Sequence, residues 1–168
     1  IIHNPSDMDK LNEVIIRLKF EELFEFMVKI NYLKERNKKD NGIKRNISDE
    51  EIQSFYTSLP FELTGDQKKA ISEIVSDMNS PRMMNRLLQG DVGSGKTIVS
   101  VVAMYFNKIS GYQSALMAPT EILATQHYNN IKKILGDKVN VELLIGSLKK
   151  KEKKVLYEKL ETGEIDII

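Results

Sequence analysis

Residues 90–97 read Gly90-Asp91-Val92-Gly93-Ser94-Gly95-Lys96-Thr97 and match the phosphate-loop pattern G-x-x-x-x-G-K-[ST] at every fixed position. Glycines allow backbone angles and close approaches that a β-carbon would block, so consecutive amides can point into one concavity and bind phosphate oxygens. We predict a short strand at Arg86-Leu87-Leu88-Gln89 before the loop and a helix from about Lys96 to Ile109 after it. This strand, loop and helix are the context that the motif requires.

Each position of the loop has a predicted role in holding a nucleotide. Lys96 is predicted to reach the β and γ phosphates, and the Thr97 hydroxyl is predicted to coordinate Mg²⁺. These two are the candidate catalytic residues, and Thr97 is the candidate metal ligand. A glycine-rich turn that binds no ligand is the alternative. The motif predicts a nucleotide with Mg²⁺, its phosphate oxygens bound along the backbone of Gly90, Asp91, Val92, Gly93, Ser94 and Gly95.

The chain after the loop alternates between strands and helices over short connections. Strands are predicted at 114–118, 139–145 and 165–168, and helices at about 120–135 and 149–160. Such alternation is typical of βαβ units. The predicted fold class is therefore α/β, with a parallel sheet and flanking helices.

The chain before the loop is predicted to be helical. Residues 9–36 contain neither Gly nor Pro, and apolar residues three or four apart predict a long amphipathic helix. The polar, basic stretch 34–46 predicts a loop, either a solvated linker or a contact to a nucleic-acid backbone. Capping boxes at Ser48–Glu51 and Thr64–Gln67 predict helices that end near residues 58 and 78. The predicted division is a linker helix with a basic loop over 1–47, and a second domain over 48–168.

The composition excludes several classes of site. The chain has no Cys, which excludes disulfides, cysteine zinc sites and thiol nucleophiles, and its two His argue against a multi-histidine metal site. Lys and Arg total 25 against 24 Asp and Glu, so net charge does not predict a polyanion partner. No stretch approaches the ~18 apolar residues of a membrane span, and no signal peptide is present, so we expect a cytoplasmic location. The start at Ile1 and the strand-like end suggest a fragment of a longer protein.

Two further segments carry candidate binding residues. The carboxamide of Gln67 can donate and accept at an adenine edge at the same time, although it could equally serve only to complete its capping box. Pro119 and Thr120 place a helix amino terminus at the carboxyl edge of the predicted sheet, where ligands bind in open α/β folds. Free amides there can hold a nucleic-acid phosphate, and an ordinary strand–helix junction is the alternative.

Together these segments resemble superfamily 2 helicases, and among them most closely the bacterial branch-migration helicases. Residues 63–70 resemble their adenine-reading segment, 84–97 their motif I with its leader, and 117–127 their motif Ia. Residues 143–149 resemble the next segment at a strand end, with Ile145 where Thr is common.

The resemblance is strong over 59–168. It is weaker over 17–24, which is similar to the helix that links the DNA-binding wedge domain of these helicases to the motor.

This resemblance implies a RecA-like P-loop motor lobe that uses ATP and Mg²⁺ and acts on DNA forks and branched junctions. It implies DNA-phosphate contacts at Pro119, Thr120, Gly146 and Ser147, whereas Ile145 has no hydroxyl to donate. Transcription-repair coupling factors have a closely similar motor and remain an alternative, as does a P-loop enzyme of another class. The family's acidic motif II and second lobe have no counterpart in residues 1–168, so we expect a front part of motor lobe 1 that is inactive alone.

Overall fold

The computed structural model describes residues 7–37 and 42–168, and these form two compact units that divide between residues 41 and 42. Among the described helices, none combines the length and the apolar character needed to cross a membrane. The first unit contains α1 (Met8–Asn37). The second contains α2 (Asp49–Thr57), α3 (Gly65–Met78), α4 (Lys96–Ile109), α5 (Glu121–Leu135), a 3₁₀ turn (Gly136–Lys138) and α6 (Lys150–Glu161).

The long helix predicted over 9–36 is confirmed as α1. Its apolar side chains are largely exposed and do not form the single stripe that an amphipathic helix requires. At ~100° per residue, Leu18 and Met27 lie on opposite sides of the helix. Because α1 continues to Asn37, the predicted loop starts later than residue 34. Residues 38–41 of that loop lie outside the described residues.

Residues 42–47, part of the predicted basic loop, pack with the second unit. Ile47 is buried, and its N–H and C=O both bond to the Asn79 carboxamide at 2.9 Å. The Arg45 guanidinium donates to Asn107 Oδ1 at 3.0 and 2.9 Å. The observed division at residue 41 is therefore earlier than the predicted one at residue 47, because these contacts are made to residues distant in sequence.

Both predicted capping boxes are present in the structure. Ser48 N–H donates to Glu51 Oε2 at 2.8 Å, and Glu51 N–H donates to Ser48 Oγ at 3.3 Å. The Thr64 and Gln67 pair repeats this arrangement at 2.9 and 3.3 Å. Each box satisfies amides that the first turn of a helix leaves unpaired, so α2 and α3 begin where the sequence predicts.

The core of the second unit is built around α4. Its Val101, Val102 and Phe106 are fully buried, and α3 and α5 both pack against this helix. Phe55 of α2 stacks on Tyr105 with centroids 4.4 Å apart and meets the edge of Phe106 at 5.7 Å. Burial of a large apolar side chain contributes ~1.5–3 kcal/mol, so these contacts anchor α4 firmly.

The predicted parallel sheet is represented, in the part of the chain that is described, by two isolated parallel bridges. Ser114 and Val141 each pair with Ile167, which lies between them. Ser114 N–H donates to Asp166 O at 2.8 Å, and Glu142 N–H donates to Ile167 O at 3.0 Å. Segments from three predicted strands thus meet side by side and parallel.

The strand predicted at 86–89 is wrong. Leu87 is 91% exposed, and no backbone hydrogen bond joins this segment to another described segment. Arg86 instead holds it against α3, through ion pairs with Glu73 at 2.6 Å and with Asp77. The hydrogen bond to Asp77 is the main cause of a raised pKa at Arg86. An apolar run indicates a capacity for strand formation, but a strand also requires a paired neighbour.

Candidate nucleotide site and nucleic-acid edge

The glycines of the phosphate loop adopt the conformations for which the motif needs them. Gly93 and Gly95 have φ of 84° and 77°, a region that other residues rarely adopt. A β-carbon at Gly95 would lie 2.4 Å from Gln67 Nε2, and one at Gly90 would lie 2.8 Å from Ser94 Oγ. Both the backbone angle and the lack of space therefore require glycine at residue 95.

The start of α4 offers unpaired donors. Gly95 is the N-cap and has no side chain to satisfy the first amides of the helix. Within the described residues, the N–H groups of Lys96 and Thr97 have no hydrogen-bond acceptor. Free amides and the positive end of the helix dipole together make an anion site, so the residues present fit a phosphate group.

The Lys96 side chain closes the loop on itself. Its Nζ donates to the carbonyl of Gly90 at 2.8 Å and to that of Asp91 at 2.7 Å. The ammonium is therefore held against the first two residues of the loop while its backbone starts α4. Of the described residues that line the adjoining cleft, Lys96 is the only cation and Asp66 is the only carboxylate.

Gln67 connects the start of α3 to the phosphate loop. Its Oε1 accepts from Thr64 N–H at 2.9 Å, and its Nε2 donates to Ser94 O at 3.1 Å. The capping-box interpretation of Gln67 is confirmed, and the bond to Ser94 was not predicted. One lone pair of Oε1 and one hydrogen of Nε2 take no part in these two bonds. The side chain lines a cleft of about 440 Å³, a volume within the range of small-ligand sites.

The Glu121 carboxylate connects the two segments that carry the predicted DNA residues, 119–120 and 146–147. Ser147 donates to Glu121 through its N–H and through its Oγ, each at 2.9 Å. Glu121 is the first residue of α5 and follows Thr120, whose Oγ1 accepts from Leu123 N–H at 3.3 Å. A β-carbon at Gly146 would lie 2.8 Å from Glu121 Oε1. The structure thus brings the start of α5 and the Gly146–Ser147 turn together.

The four predicted DNA residues are all exposed; they are Pro119, Thr120, Gly146 and Ser147. No hydrogen bond or ion pair in the described chain connects them with the phosphate loop. We call the surface that they form the α5 edge.

Glu121 is the residue that sequence reasoning missed. An acidic residue in the first turn of a helix is ordinarily explained by the helix dipole, which is a local reason for its presence. Its hydrogen-bond partner Ser147 is 26 positions away. No local pattern around Glu121 in the sequence indicates this partner.

Comparison with known proteins adds the family. Residues 64–168 match the DEAD/DEAH box helicase family. The chain belongs to this family. The matched range begins at the cap of α3, and both the phosphate loop and the α5 edge lie within it. The resemblance to helicases drawn from the motifs is confirmed.

Individual relatives are similar over almost the whole chain. The ATP-dependent DNA helicase RecG of Staphylococcus aureus is 45% identical over 99% of this chain and 24% of that protein. The RecG of Staphylococcus epidermidis is 46% identical over 99% of this chain and 25% of that protein. The chain therefore spans about a quarter of the length of the curated relatives that it matches.

A solved structure, described as RecG bound to a three-way DNA junction, is similar with a TM-score of 0.82 and 42% identity. The likeness covers 95% of this chain and 22% of that one. Together with the family match, it shows a RecA-like P-loop fold.

Proposed function

We propose that this chain is the front part of the first motor lobe of an ATP-dependent DNA helicase. The proposed parent protein remodels forked and branched DNA in recombination and repair, and acts in the cytoplasm. The observation that carries the proposal is the pair of unpaired amides at Lys96 and Thr97, at the start of α4 and at the end of a glycine loop. The family match and the similarity to RecG support it.

ATP with Mg²⁺ is the proposed cofactor of the phosphate loop. The backbone of residues 90–95 would hold phosphate oxygens, and the Thr97 hydroxyl would hold the metal ion. Lys96 would exchange its bonds to the carbonyls of Gly90 and Asp91 for bonds to phosphate oxygens. This exchange is favourable, because ammonium–phosphate hydrogen bonds are charged on both sides. When bound, ATP supplies free energy through cleavage of its terminal phosphoanhydride bond.

Gln67 is the proposed reader of adenine. Its free Oε1 lone pair can accept from the exocyclic amino group of adenine, and its free Nε2 hydrogen can donate to a ring nitrogen. The bonds to Thr64 and Ser94 support this role, since they hold the carboxamide at the wall of the cleft. Guanine presents the reverse pattern of donors and acceptors, so a preference for ATP follows.

The α5 edge is the proposed binding surface for DNA. The Thr120 hydroxyl and the start of α5 can donate to phosphate oxygens without reading bases, as a motor indifferent to sequence requires. The N–H and hydroxyl of Ser147 already donate to Glu121. A phosphate at Ser147 would therefore compete with this carboxylate, whereas one at Thr120 would not.

The substitution Lys96→Ala in the proposed parent protein tests the nucleotide site. We expect loss of DNA-stimulated ATP turnover with fork binding largely retained, because the lysine would contact phosphates of the nucleotide and not those of DNA. Lys108→Ala is the matched control, since Lys108 lies in the last turn of the same helix and donates to Lys138 O at 2.8 Å. Turnover by Lys96→Ala at the rate of the control would show that the motif is not a nucleotide site.

A further inference from the structure

The start of α6 carries a dense positive charge that the proposed function does not use. The net charge of the whole chain is only +1, so this excess is local. Five lysines occur within six residues around a single glutamate, Glu152; they are Lys149, Lys150, Lys151, Lys153 and Lys154. Four of the five are exposed, and we call them the lysine patch: Lys149, Lys150, Lys151 and Lys154.

The helix presents this patch to solvent. Leu156 is buried and marks the side of α6 that packs on the rest of the unit. At ~100° per residue, Lys150, Lys151 and Lys154 each lie ~120° or more around the helix from Leu156. Lys154 has only a long, exposed contact to Glu158, at 3.8 Å. Within the described residues, no ion pair involves Lys149, Lys150 or Lys151.

The position of the lysines disfavours the helix that carries them. The positive end of the helix dipole repels cations in the first turn and favours carboxylates. α2 follows this rule with Asp49, Glu50 and Glu51 in its first turn. The lysine patch breaks it, so the stability of α6 does not explain the patch, and an anionic partner would relieve the repulsion.

The patch adjoins the α5 edge. Lys153 Nζ donates to the carbonyl of Gly146 at 2.8 Å, which ties α6 to the turn before it. The neighbouring Ser147 is bonded to Glu121 at the start of α5. The patch therefore begins two residues after a member of the α5 edge and belongs to the same part of the unit.

We propose that the lysine patch binds the phosphate backbone of DNA next to the α5 edge, independently of sequence. This inference rests on the proposed function and extends its DNA surface beyond Thr120 and Ser147. Closely spaced free ammonium groups are complementary to a phosphate backbone, whose neutralisation releases counterions and drives non-specific binding. The α5 edge contributes no lysine or arginine, so the patch supplies most of the charge of the combined surface.

The salt dependence of DNA binding tests this inference. The patch variant is Lys150→Gln with Lys151→Gln in the 168-residue chain. The control is Lys132→Gln with Lys133→Gln, which removes the same charge from the last turn of α5. Glutamine has nearly the helix propensity of lysine, so both variants should fold. Binding to two unrelated duplexes is measured by fluorescence anisotropy over roughly 25–200 mM salt.

The patch variant should bind both duplexes about tenfold more weakly at low salt, and its slope of log K against log salt should fall by about two. The control should keep the slope of the unmodified chain. The thermal midpoint of the patch variant should stay equal or rise, because repulsion by the helix dipole is removed.

Three results would overturn the proposal. The first is an equal salt slope for the patch and control variants, and the second is no measurable DNA binding by the unmodified chain. The third comes from a parallel measurement with phosphatidylserine vesicles, if the patch variant binds these vesicles more weakly but binds DNA as well as the unmodified chain does. Each of these can occur while Lys96→Ala still abolishes turnover in the parent protein, so failure of the patch is distinguishable from failure of the proposed function.

Discussion

Gln67 shows how one side chain can have a structural role and remain available for a ligand. It completes the capping box of α3 and also holds the phosphate loop through Ser94. The loop approaches so closely that a β-carbon at Gly95 would collide with Gln67 Nε2. The glutamine and the glycine therefore constrain each other, and a substitution at either position should change the shape of the cleft.

Gln67→Ala should narrow the preference of the parent protein for ATP over GTP. An unpaired buried polar group costs ~1–3 kcal/mol, so the expected change is about 5- to 150-fold in the ratio of kcat/KM values. Glu51→Ala is the matched control, since it removes the equivalent partner from the capping box of α2. Both variants should lose similar thermal stability, measured by circular dichroism. A full ATP preference in Gln67→Ala would mean that the base is read elsewhere.

At the scale of elements, the start of α5 and the turn before α6 behave as one surface. The Thr120 hydroxyl accepts from Leu123 N–H in the first turn of α5. The Glu121 carboxylate accepts from both the N–H and the hydroxyl of Ser147. Gly146 allows this approach, because any β-carbon there would lie 2.8 Å from the carboxylate. The position of the turn is thus held by two hydrogen bonds to the first residue of α5.

Glu121→Gln should weaken the contact between the start of α5 and the Gly146–Ser147 turn. A carboxamide can still accept from Ser147 N–H and can donate to Ser147 Oγ, but both bonds to the ionised carboxylate become weaker neutral ones, at a cost of ~1 kcal/mol in the free energy of unfolding. Glu50→Gln is the control, because Glu50 also lies in the first turn of a helix but has no side-chain hydrogen bond among the described residues.

In the parent protein we expect Glu121→Gln to reduce DNA-stimulated turnover several-fold with an unchanged KM for ATP, and Glu50→Gln to change neither. An altered KM for ATP in Glu121→Gln would contradict the placement of Glu121 outside the nucleotide cleft.

At the scale of the whole molecule, the second unit contains its own core. The buried apolar cluster runs from Ile47 to Ile167, and all of its described members belong to this unit. The segment before α2 belongs to this unit, through the burial of Ile47 and the bonds of Arg45 to Asn107. We therefore expect the folding boundary to lie before residue 42.

A shortened chain of residues 42–168 should unfold cooperatively with a Tm within about 4 °C of that of the 168-residue chain. A chain of residues 48–168 is the comparison that locates the boundary. It lacks Ile47 and Arg45 and should lose ~2 kcal/mol, since burial and tertiary hydrogen bonds both disappear. Equal thermal stability of the two shortened chains, followed by circular dichroism, would place the boundary where the sequence predicts it, at residue 47.

Local features of this protein are determined by the sequence alone. The capping boxes of α2 and α3, the Thr120 cap of α5 and the left-handed Gly95 all follow from residues within a few positions of one another. A cap is satisfied by atoms three residues away, so no distant partner is needed. This is why the helix bounds and the phosphate loop were predictable.

Pairing between distant segments is decided only by the tertiary structure. The bond from Gln67 to Ser94 and the joint between Glu121 and Ser147 connect residues 26 or 27 positions apart. The attachment of 42–47 and the unpaired state of 86–89 are likewise outcomes of long-range contacts. An apolar or charged run indicates which structures a segment can form. Which of them forms depends on the segments that lie beside it, because hydrogen bonds and burial both require a partner.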